Sequence, residues 1–559
     1  MIALAARPST CATADDVTTH TLLNCLIREV SGPEGQLTYE GSHLVIRLPR
    51  RDLVLRIRVR RTSLIGAHRF DGSVQTRVAD SWTGVTWRRL AELVAQELEL
   101  RSGETNHQFV DQVAESQAAM TAVLAARPAS GPDSDHLDYL ASEQALVYGH
   151  RFHPTPKGRS GAIDHWLPYA PEAGARVRLR HLAVPRDLIR EEGVDAAALA
   201  LLDGLGGSAD QAVLPVHPWQ FSLLRSHQGL DAALRSGRIT DLGERGVETV
   251  PTASVRTLWH PDLRAFLKFS LNVRITNCVR KNASYELRGA VALTRLLAPV
   301  ADDLRTRFPG TAVLAEPAYR TLDLGPDLVE GFGVIVREEL PIQTGVTPLL
   351  AGAIADEHPT SPAQVGALIE RSGGDALAWW HAYLALVVPP VLHAYFHHGV
   401  VFEPHLQNVV VGVTDDGWPQ QVFLRDMEGT KLLPARHAAA LADLPDDVQQ
   451  QVTYDAQRGW NRVAYCLLVN HVAEVLAGIA DRYPALERQL WDEVSARLDA
   501  YARQYGSSPQ LRALLSGVPL PAKANLLIRW DRRADRQAGY LALPNPLAAA
   551  PAESCEVAR

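Results

Sequence analysis

The period of the hydrophobic pattern changes along this chain, and that change limits the possible folds more than any other feature. Between Asp52 and Thr62 the sequence reads Leu-Val-Leu-Arg-Ile-Arg-Val-Arg-Arg, apolar and basic residues in alternation. A period of two means a strand with one face buried. Gln36–Leu48 alternates in the same way, and residues 85–127 are Ala/Leu/Glu-rich and helical. From Leu137 the texture becomes short strands between Pro and Gly: Val177–Leu182, Ala212–Val216, Phe266–Ile275, Ala312–Leu314 and Gly333–Arg337. Lys281–Leu297 reads as a helix there, and Asp241–Gly246 and Asp323–Pro326 as turns. Beyond Asp375 the pattern is helical again, over Ala376–His397 and about Pro434–Leu515. One hairpin interrupts it, Val409–Val413 and Gln421–Leu424, with Asp415-Asp416-Gly417 between them. This order fits an α+β chain of several lobes. The boundaries expected are a flexible tail over 1–20, an N-terminal lobe over 21–136, a middle lobe over 137–374, a largely helical lobe over 375–543 and a second flexible tail over 544–559.

Composition narrows the function. A chain of 559 residues can bury a sizeable core without disulfides or metal staples. Lys+Arg is 56 against Asp+Glu 63, a formal charge of −7. That argues against a nucleic-acid or membrane partner. Arg56, Arg58 and Arg60 share one strand face, for which a solvated surface is a plainer reading than a nucleic-acid contact. The cysteines (Cys11, Cys25, Cys278, Cys466, Cys555) form no Cys-x-x-Cys, which excludes a disulfide framework, a zinc ribbon and a cysteine-ligated cluster. They fit a reducing cytoplasm. The apolar N-terminus stops at Arg7, short of a signal-peptide core. No uninterrupted apolar run approaches the roughly 18–20 residues of a membrane span.

Four blocks carry chemistry. The first is Gly149-His150-Arg151-Phe152-His153-Pro154-Thr155-Pro156-Lys157-Gly158-Arg159-Ser160-Gly161, a Gly/Pro-rich loop with cations suited to phosphate or carboxylate. The second, Leu214-Pro215-Val216-His217-Pro218-Trp219-Gln220, is weak alone, since Trp219 reads as core and His217 as a cap. The third joins Ser254-x-Arg256-Thr257 to the run from Phe266 to Lys281. In that run Lys268, Ser270, Asn272, Arg274 and Thr276 share strand parity, and Arg280 opens the next helix. A row of cations and hydroxyls reads as anion binding. The fourth is Glu403-Pro-His405-Leu-Gln407-Asn408, followed after the hairpin by Arg425-Asp426-Met427-Glu428-Gly429. Carboxylate and amide oxygens spaced around a hairpin suit Mg²⁺ and phosphate, the logic of protein kinases. An ion pair of Glu403 and Asp426 with Arg425 is the structural alternative. His393 and His397 are four apart, but no Glu completes a zinc motif, so they read as core or surface histidines.

Taken in register, these blocks resemble the IucA/IucC family of siderophore synthetases that work independently of nonribosomal peptide synthetases. The resemblance spans about Leu137–Lys431, with one departure, His-Arg-Phe-His where relatives often have His-Pro before the second His-Pro. It implies a cupped-hand α+β fold of thumb, fingers and kinase-like palm, in which the lobe over 21–136 is the thumb. It also implies ATP- and Mg²⁺-dependent adenylation of a carboxyl of citrate or a related polycarboxylic acid. An amine or hydroxyl nucleophile then displaces AMP to give an amide or ester. On the same basis His153, Lys157, Ser254, Arg256, Thr257 and Lys268 would contact ATP. Thr276, Arg280, Arg337 and His405 would hold the acid, and Glu403, Asn408 and Asp426 the Mg²⁺. The catalytic set would be His153, Arg256, Lys268, Arg280 and His405. Many relatives are homodimers. A kinase-like phosphotransferase and a non-enzymatic siderophore-binding protein are the competing readings.

Overall fold

The computed structural model describes residues 12–127, 136–275, 278–533 and 539–548, the side chains at 276–279 excepted. The chain enters on a helix, Ala14–Leu26. Thr13 caps it, its Oγ1 accepting from Asp16 N at 3.1 Å while the Asp16 carboxylate accepts from Thr13 N at 3.3 Å. The expected tail over 1–20 is corrected from residue 14 onward, because the first turns of this helix already bury Val17, Thr18 and Thr19. Five antiparallel strands follow in sequential order: β1 Leu37–Glu40, β2 His43–Leu48, β3 Leu53–Arg61, β4 Arg69–Val78 and β5 Ser81–Gly84. The alternation in β3 works as its period demands. Leu55 and Ile57 are buried, Arg56 stacks on Trp82 and Arg58 pairs with Asp71 on the other face. Helices Trp87–Ser102 and Phe109–Ala126 pack on this meander.

The middle lobe is an eight-stranded antiparallel sheet. Its strands are β6 Val177–Pro185, β7 Ile189–Gly193, β8 Gln211–Val216, β9 Thr240–Pro251, β10 Thr257–His260, β11 Ala265–Phe269, β15 Ala318–Leu322 and β16 Val334–Glu338. Their order is β7-β15-β16-β11-β10-β9-β6-β8. Asp241–Gly246 is no free turn but lies inside β9, where register shifts against β6 absorb its glycines. Phe266–Ile275 is not one strand. It breaks at Ser270, whose N–H donates to Gly333 O and whose Oγ donates to Glu330 O. The continuation, β12 Leu271–Ile275, leaves the sheet to pair with β13 Cys278–Arg280. The expected single row of polar residues is therefore split: Lys268 is buried while Asn272 and Arg274 face outward. Arg280 ends β13, and the next helix starts later, at Ser284–Arg307.

A third sheet carries the hairpin. It comprises β14 Thr311–Val313, β17 Val346–Leu350, β19 Val409–Thr414 and β20 Pro419–Leu424, in the order β14-β20-β19-β17. Strand β18, Val400–Val401, lies apart from it. Helix Ala376–His398 and the long helix Ala456–Arg482 pack into the largest core with these strands. Both are long and apolar enough to cross a membrane by length and composition alone, which qualifies the expectation from uninterrupted runs; 67% and 94% of their apolar windows are buried inside the protein. His393 and His398 both face Asp303, at 3.3 and 2.8 Å. Residues 525–530 return to the N-terminal lobe, where Leu526 and Trp530 join its core and Glu29 accepts from Leu526 N and Leu527 N. The expected C-terminal tail is corrected over 544–548, where Leu547 is buried and Asn545 Nδ2 donates to Leu514 O and Val518 O.

Candidate active site

Two turns with unusual backbones face each other between the eight-stranded sheet and the hairpin. In the first, Thr252 N donates to Thr257 O at 2.9 Å and Thr257 N to Ser254 Oγ at 3.2 Å. Val255 at its apex has φ +69°. A β-branched residue resists this region, at a cost of about 1–3 kcal/mol, and such strain persists only where the surroundings hold it. The turn delivers Arg256, buried, into the gap. Its Nη1 donates to Arg280 O at 3.1 Å and Asn282 Oδ1 at 2.6 Å, and its Nη2 to Glu428 Oε2 at 2.5 Å. The second turn follows β20, where Asp426 has φ +85°. Lys268 Nζ, from β11, reaches Asp426 Oδ1 at 2.6 Å and Glu428 Oε2 at 3.0 Å. Arg337 Nη2, from β16, reaches Glu316 Oε1 at 2.6 Å and Asp426 Oδ1 at 3.2 Å.

Three cations thus mesh with three carboxylates, and this sets their protonation. Burial alone would raise the Asp426 carboxyl, but Lys268 and Arg337 outweigh it and hold it well below the usual carboxylate range. For Glu428 burial is likewise overcome, by Lys268 and Arg256, which bring it down to about 2. Burial would lower Lys268 and Arg256, yet the same acids keep both above their ordinary values. Glu286 goes the other way: burial and then the neighbouring Glu428 push it up to about 7. His405 is lowered by burial. Its Nδ1 accepts from Gln407 N, so the ring proton sits on Nε2, a donor suited to a carboxylate.

The network opens into one cavity of about 940 Å³. Of the residues expected to act, His153, Lys157, Ser254, Arg256, Thr257, Lys268, Arg280, Arg337, Glu403, His405, Asn408 and Asp426 all line it. Thr276 lies outside the described residues. Lys157 lines the wall but is committed, its ammonium donating to Leu146 O and to Glu172, which Arg159 also holds at 2.6 Å. The alternative pairing of Arg425 with Glu403 or Asp426 is not what forms. Arg425 Nη1 donates instead to Glu143 Oε1 at 2.6 Å, and Glu403 Oε1 lies 3.3 Å from Arg462. His217 is structural, capping helix Pro218–Leu224 by accepting from Trp219 N.

Hard oxygen donors collect on one wall: Glu403, Asn408, Asp426 and Glu428. Gly429 makes room for them, since a Cβ there would stand 3.1 Å from Glu403 Oε2. This donor set fits Mg²⁺ rather than a soft metal. Sequence reasoning missed Glu428, Glu316, Glu286 and Asn282. Glu428 was within reach, two residues from Asp426 in the same block. Glu316 and Asn282 sit in stretches with no motif, and only folding brings them to the cations.

Comparison with known proteins adds the relationships of the chain. Residues 138–356 match the IucA / IucC family, and residues 377–538 match the ferric iron reductase FhuF-like transporter family. The chain is 31% identical over 437 residues to the L-2,3-diaminopropanoate–citrate ligase of Staphylococcus aureus, covering 73% of this chain and 74% of that one. It is 30% identical over 502 residues to the N(2)-citryl-N(6)-acetyl-N(6)-hydroxylysine synthase of Escherichia coli, covering 83% and 85%. It superimposes on the ATP-bound aerobactin synthetase IucA from a hypervirulent pathotype of Klebsiella pneumoniae with a TM-score of 0.84, at 26% identity, over 96% of this chain and 100% of that one. Likeness over nearly the whole chain bears out the α+β fold that the resemblance implied.

Proposed function

The chain belongs to the IucA/IucC family, and from that premise we propose that it is an ATP-dependent ligase of siderophore assembly. It adenylates a carboxyl of citrate or a related polycarboxylic acid and passes the acyl group to an amine or hydroxyl. In the first step a carboxylate oxygen attacks the α-phosphorus of ATP and the bond to pyrophosphate breaks. In the second the nucleophile attacks the acyl carbon, AMP leaves, and the nucleophile's proton is released. Its relatives are named as ligases and synthases of citrate and amines, and one solved neighbour holds ATP.

The observation that carries this reading is the mesh of buried Arg256, Lys268, Arg337 and Glu316 with half-buried Asp426 and Glu428. Charge that develops on phosphate oxygens is stabilised most by cations already fixed in place, because they need no reorganisation during the step. Arg256 and Lys268, with the Ser254 and Thr257 hydroxyls and His153, would bind the phosphates. Lys157 would act through the wall it braces. Arg280, Arg337, His405 and Thr276 would hold the acid, the Nε2–H of His405 donating to a carboxylate. Glu403, Asn408 and Asp426 would hold Mg²⁺, with Glu428 beside them. Mg²⁺ when bound neutralises phosphate charge and polarises the phosphoryl oxygens.

The test is hydroxylamine trapping with citrate, 2-oxoglutarate and a mono-substituted citrate, with nucleotide products analysed. Hydroxamate together with AMP and pyrophosphate is expected. ADP in their place would favour the kinase-like reading, and no ATP-dependent hydroxamate from any acid would end the ligase reading. The FhuF-like match does not favour a reductase, because no Cys-x-x-Cys or Cys-Cys stands in the sequence to ligate a cluster.

A further inference from the structure

Two turns with positive φ, at Val255 and at Asp426, must keep one spacing if Arg256 and Asp426 are to meet the same ligand. They come from different sheets: the first joins β9 to β10, and the second follows β20. On the cavity side the pairs of Arg256 and Lys268 with Asp426 and Glu428 tie them together. In the reaction proposed above that tie is not constant. The two cations turn to phosphate and the Asp426 carboxylate turns to Mg²⁺. Whatever holds the spacing during the step has to lie elsewhere.

A second tie lies behind the cavity wall, centred on a residue outside every sequence block. Glu143 ends the short helix Tyr139–Glu143 and is fully buried. Ser142 beside it accepts from Leu350 N at 2.9 Å, which fixes the helix on β17. Glu143 Oε2 accepts from Ala253 N at 3.0 Å, in the first turn. Its two oxygens also accept from Arg425 Nη1 at 2.6 Å and Nη2 at 3.2 Å, and Arg425 is bonded directly to Asp426 of the second turn. Arg425 further donates to the Tyr139 hydroxyl at 3.0 Å, and through Nε and Nη2 to Gln407 O at 3.1 and 2.7 Å. All five guanidinium N–H groups are thus in use, so Arg425 lines the cavity with no donor left for a ligand. Its backbone N–H donates to Asn408 O at 3.1 Å, so the same centre holds the loop of His405 and Asn408. Bonds of this kind, with both partners charged or one of them so, are roughly twice as strong as neutral ones. A buried carboxylate gripped from both sides therefore defines a distance, and no water replaces it if either turn moves.

We propose that Glu143 is a positioning residue for the adenylation step. Through Ala253 N on one side and Arg425 on the other it sets the spacing between the turn of Arg256 and the turn of Asp426, without touching substrate. Its effect falls on the rate of the step more than on binding. Phosphate and acid can still be held by turns that have shifted slightly, whereas attack at the α-phosphorus needs the aligned arrangement. This assignment rests on the ligase reading above.

The experiment uses the full chain and measures ATP–pyrophosphate exchange with the acid that gives hydroxamate, Tm, and the number of sites that bind ATP. In Glu143→Gln the amide oxygen can keep Ala253 N, but the amide NH₂ meets the donors of Arg425 and the fork breaks. Its kcat per site falls by about tenfold to a hundredfold, KM for ATP and acid moves much less, and Tm drops. Adding Arg425→Met removes the stranded charge and regains Tm. It leaves kcat as low as in the single variant, because one tie has been broken in both. Glu143→Asp keeps the charge but shortens the reach by one methylene, so kcat falls while Tm changes little; this variant carries the test if Glu143→Gln does not fold. Exchange that recovers together with Tm in the double variant would mean that Glu143 only stabilises the fold, and overturns the assignment. So does a kcat per site that is unchanged in Glu143→Asp, or a raised KM with kcat intact. A wild type with no acid-dependent exchange or hydroxamate instead overturns the ligase reading beneath it.

Discussion

Lys268 Nζ lies 2.6 Å from Asp426 Oδ1, tying a strand of the middle sheet to the turn that ends the C-terminal hairpin. The pair is both a structural tie and the heart of the proposed phosphate site, and mutation separates the two roles. Lys268→Ala leaves the half-buried Asp426 and Glu428 without their main cation, a loss of about 1.5–3 kcal/mol in stability, less than for a fully buried pair. Adding Asp426→Asn returns part of that stability because the stranded charge is gone. It restores no activity, since the cation is still missing. Denaturant unfolding and acid-dependent ATP–pyrophosphate exchange on the single and double variants measure each role. A double variant that regains exchange would remove Lys268 from the chemistry.

Arg256 depends on a residue that touches no phosphate in this reading. Asn282 is fully buried, accepts from Arg256 Nη1 at 2.6 Å, and donates through Nδ2 to Lys268 O and Gly333 O, both at 3.1 Å. Arg256→Ala should abolish adenylation without unfolding the chain. Asn282→Ala should lower kcat for exchange by about tenfold to a hundredfold by loosening the guanidinium. If positioning is its role, the double variant is no worse than Arg256→Ala alone. Additive losses would mean that Asn282 acts independently.

Much of this site is legible in the sequence because its residues sit in short blocks whose local chemistry is visible. Ser254, Arg256, Glu403, His405 and Asp426 each come from such a block and all line the one cavity. What the sequence misleads about is backbone direction. Lys268, Asn272 and Arg274 alternate on paper, yet the break at Ser270 sends Lys268 inward and the other two out. Ser254 and Arg256 flank a tight turn set by the positive φ of Val255, in which Ser254 Oγ accepts from Thr257 N. Glu316 and Asn282 could not be found at all, since long-range packing alone gives them cations to hold. At the N-terminus composition hid the helix from residue 14, although Thr13-x-x-Asp16 is a readable capping box.

Gly429 offers a test of the oxygen-lined wall. A Cβ at this position would stand 3.1–3.3 Å from three atoms of the Glu403 side chain. Gly429→Ala therefore makes the Glu403 side chain give way by a few tenths of an ångström. If Glu403 helps to hold Mg²⁺, the concentration of Mg²⁺ that half-saturates exchange rises by about tenfold or more, while kcat at saturating Mg²⁺ falls much less. A Mg²⁺ titration of the two proteins at saturating ATP and acid decides it. An unchanged half-saturation point would place the metal elsewhere on the wall.

Glu286 carries a pH signature that Asp426 and Glu428 lack. Its Oε2 accepts from Ala283 N at 2.8 Å at the start of helix Ser284–Arg307, yet burial and Glu428 push its carboxyl up to about 7. An unfolded glutamate titrates near 4.3. Between those values the folded chain holds a proton that the unfolded chain has released, so the Glu286 contribution to stability falls as pH rises and levels off above about 7. Asp426 and Glu428, held low by their cations, have the opposite sign and lose their contribution only in acid, as pH falls below the unfolded carboxylate range. Glu286→Gln keeps the hydrogen-bonding shape and removes the titration. Its Tm should therefore gain on wild type from about pH 5 to pH 7 and hold a constant lead above that, measured without nucleotide. A Tm difference that is flat across this range would mean that Glu286 is ionised throughout and that Glu428 does not oppose it.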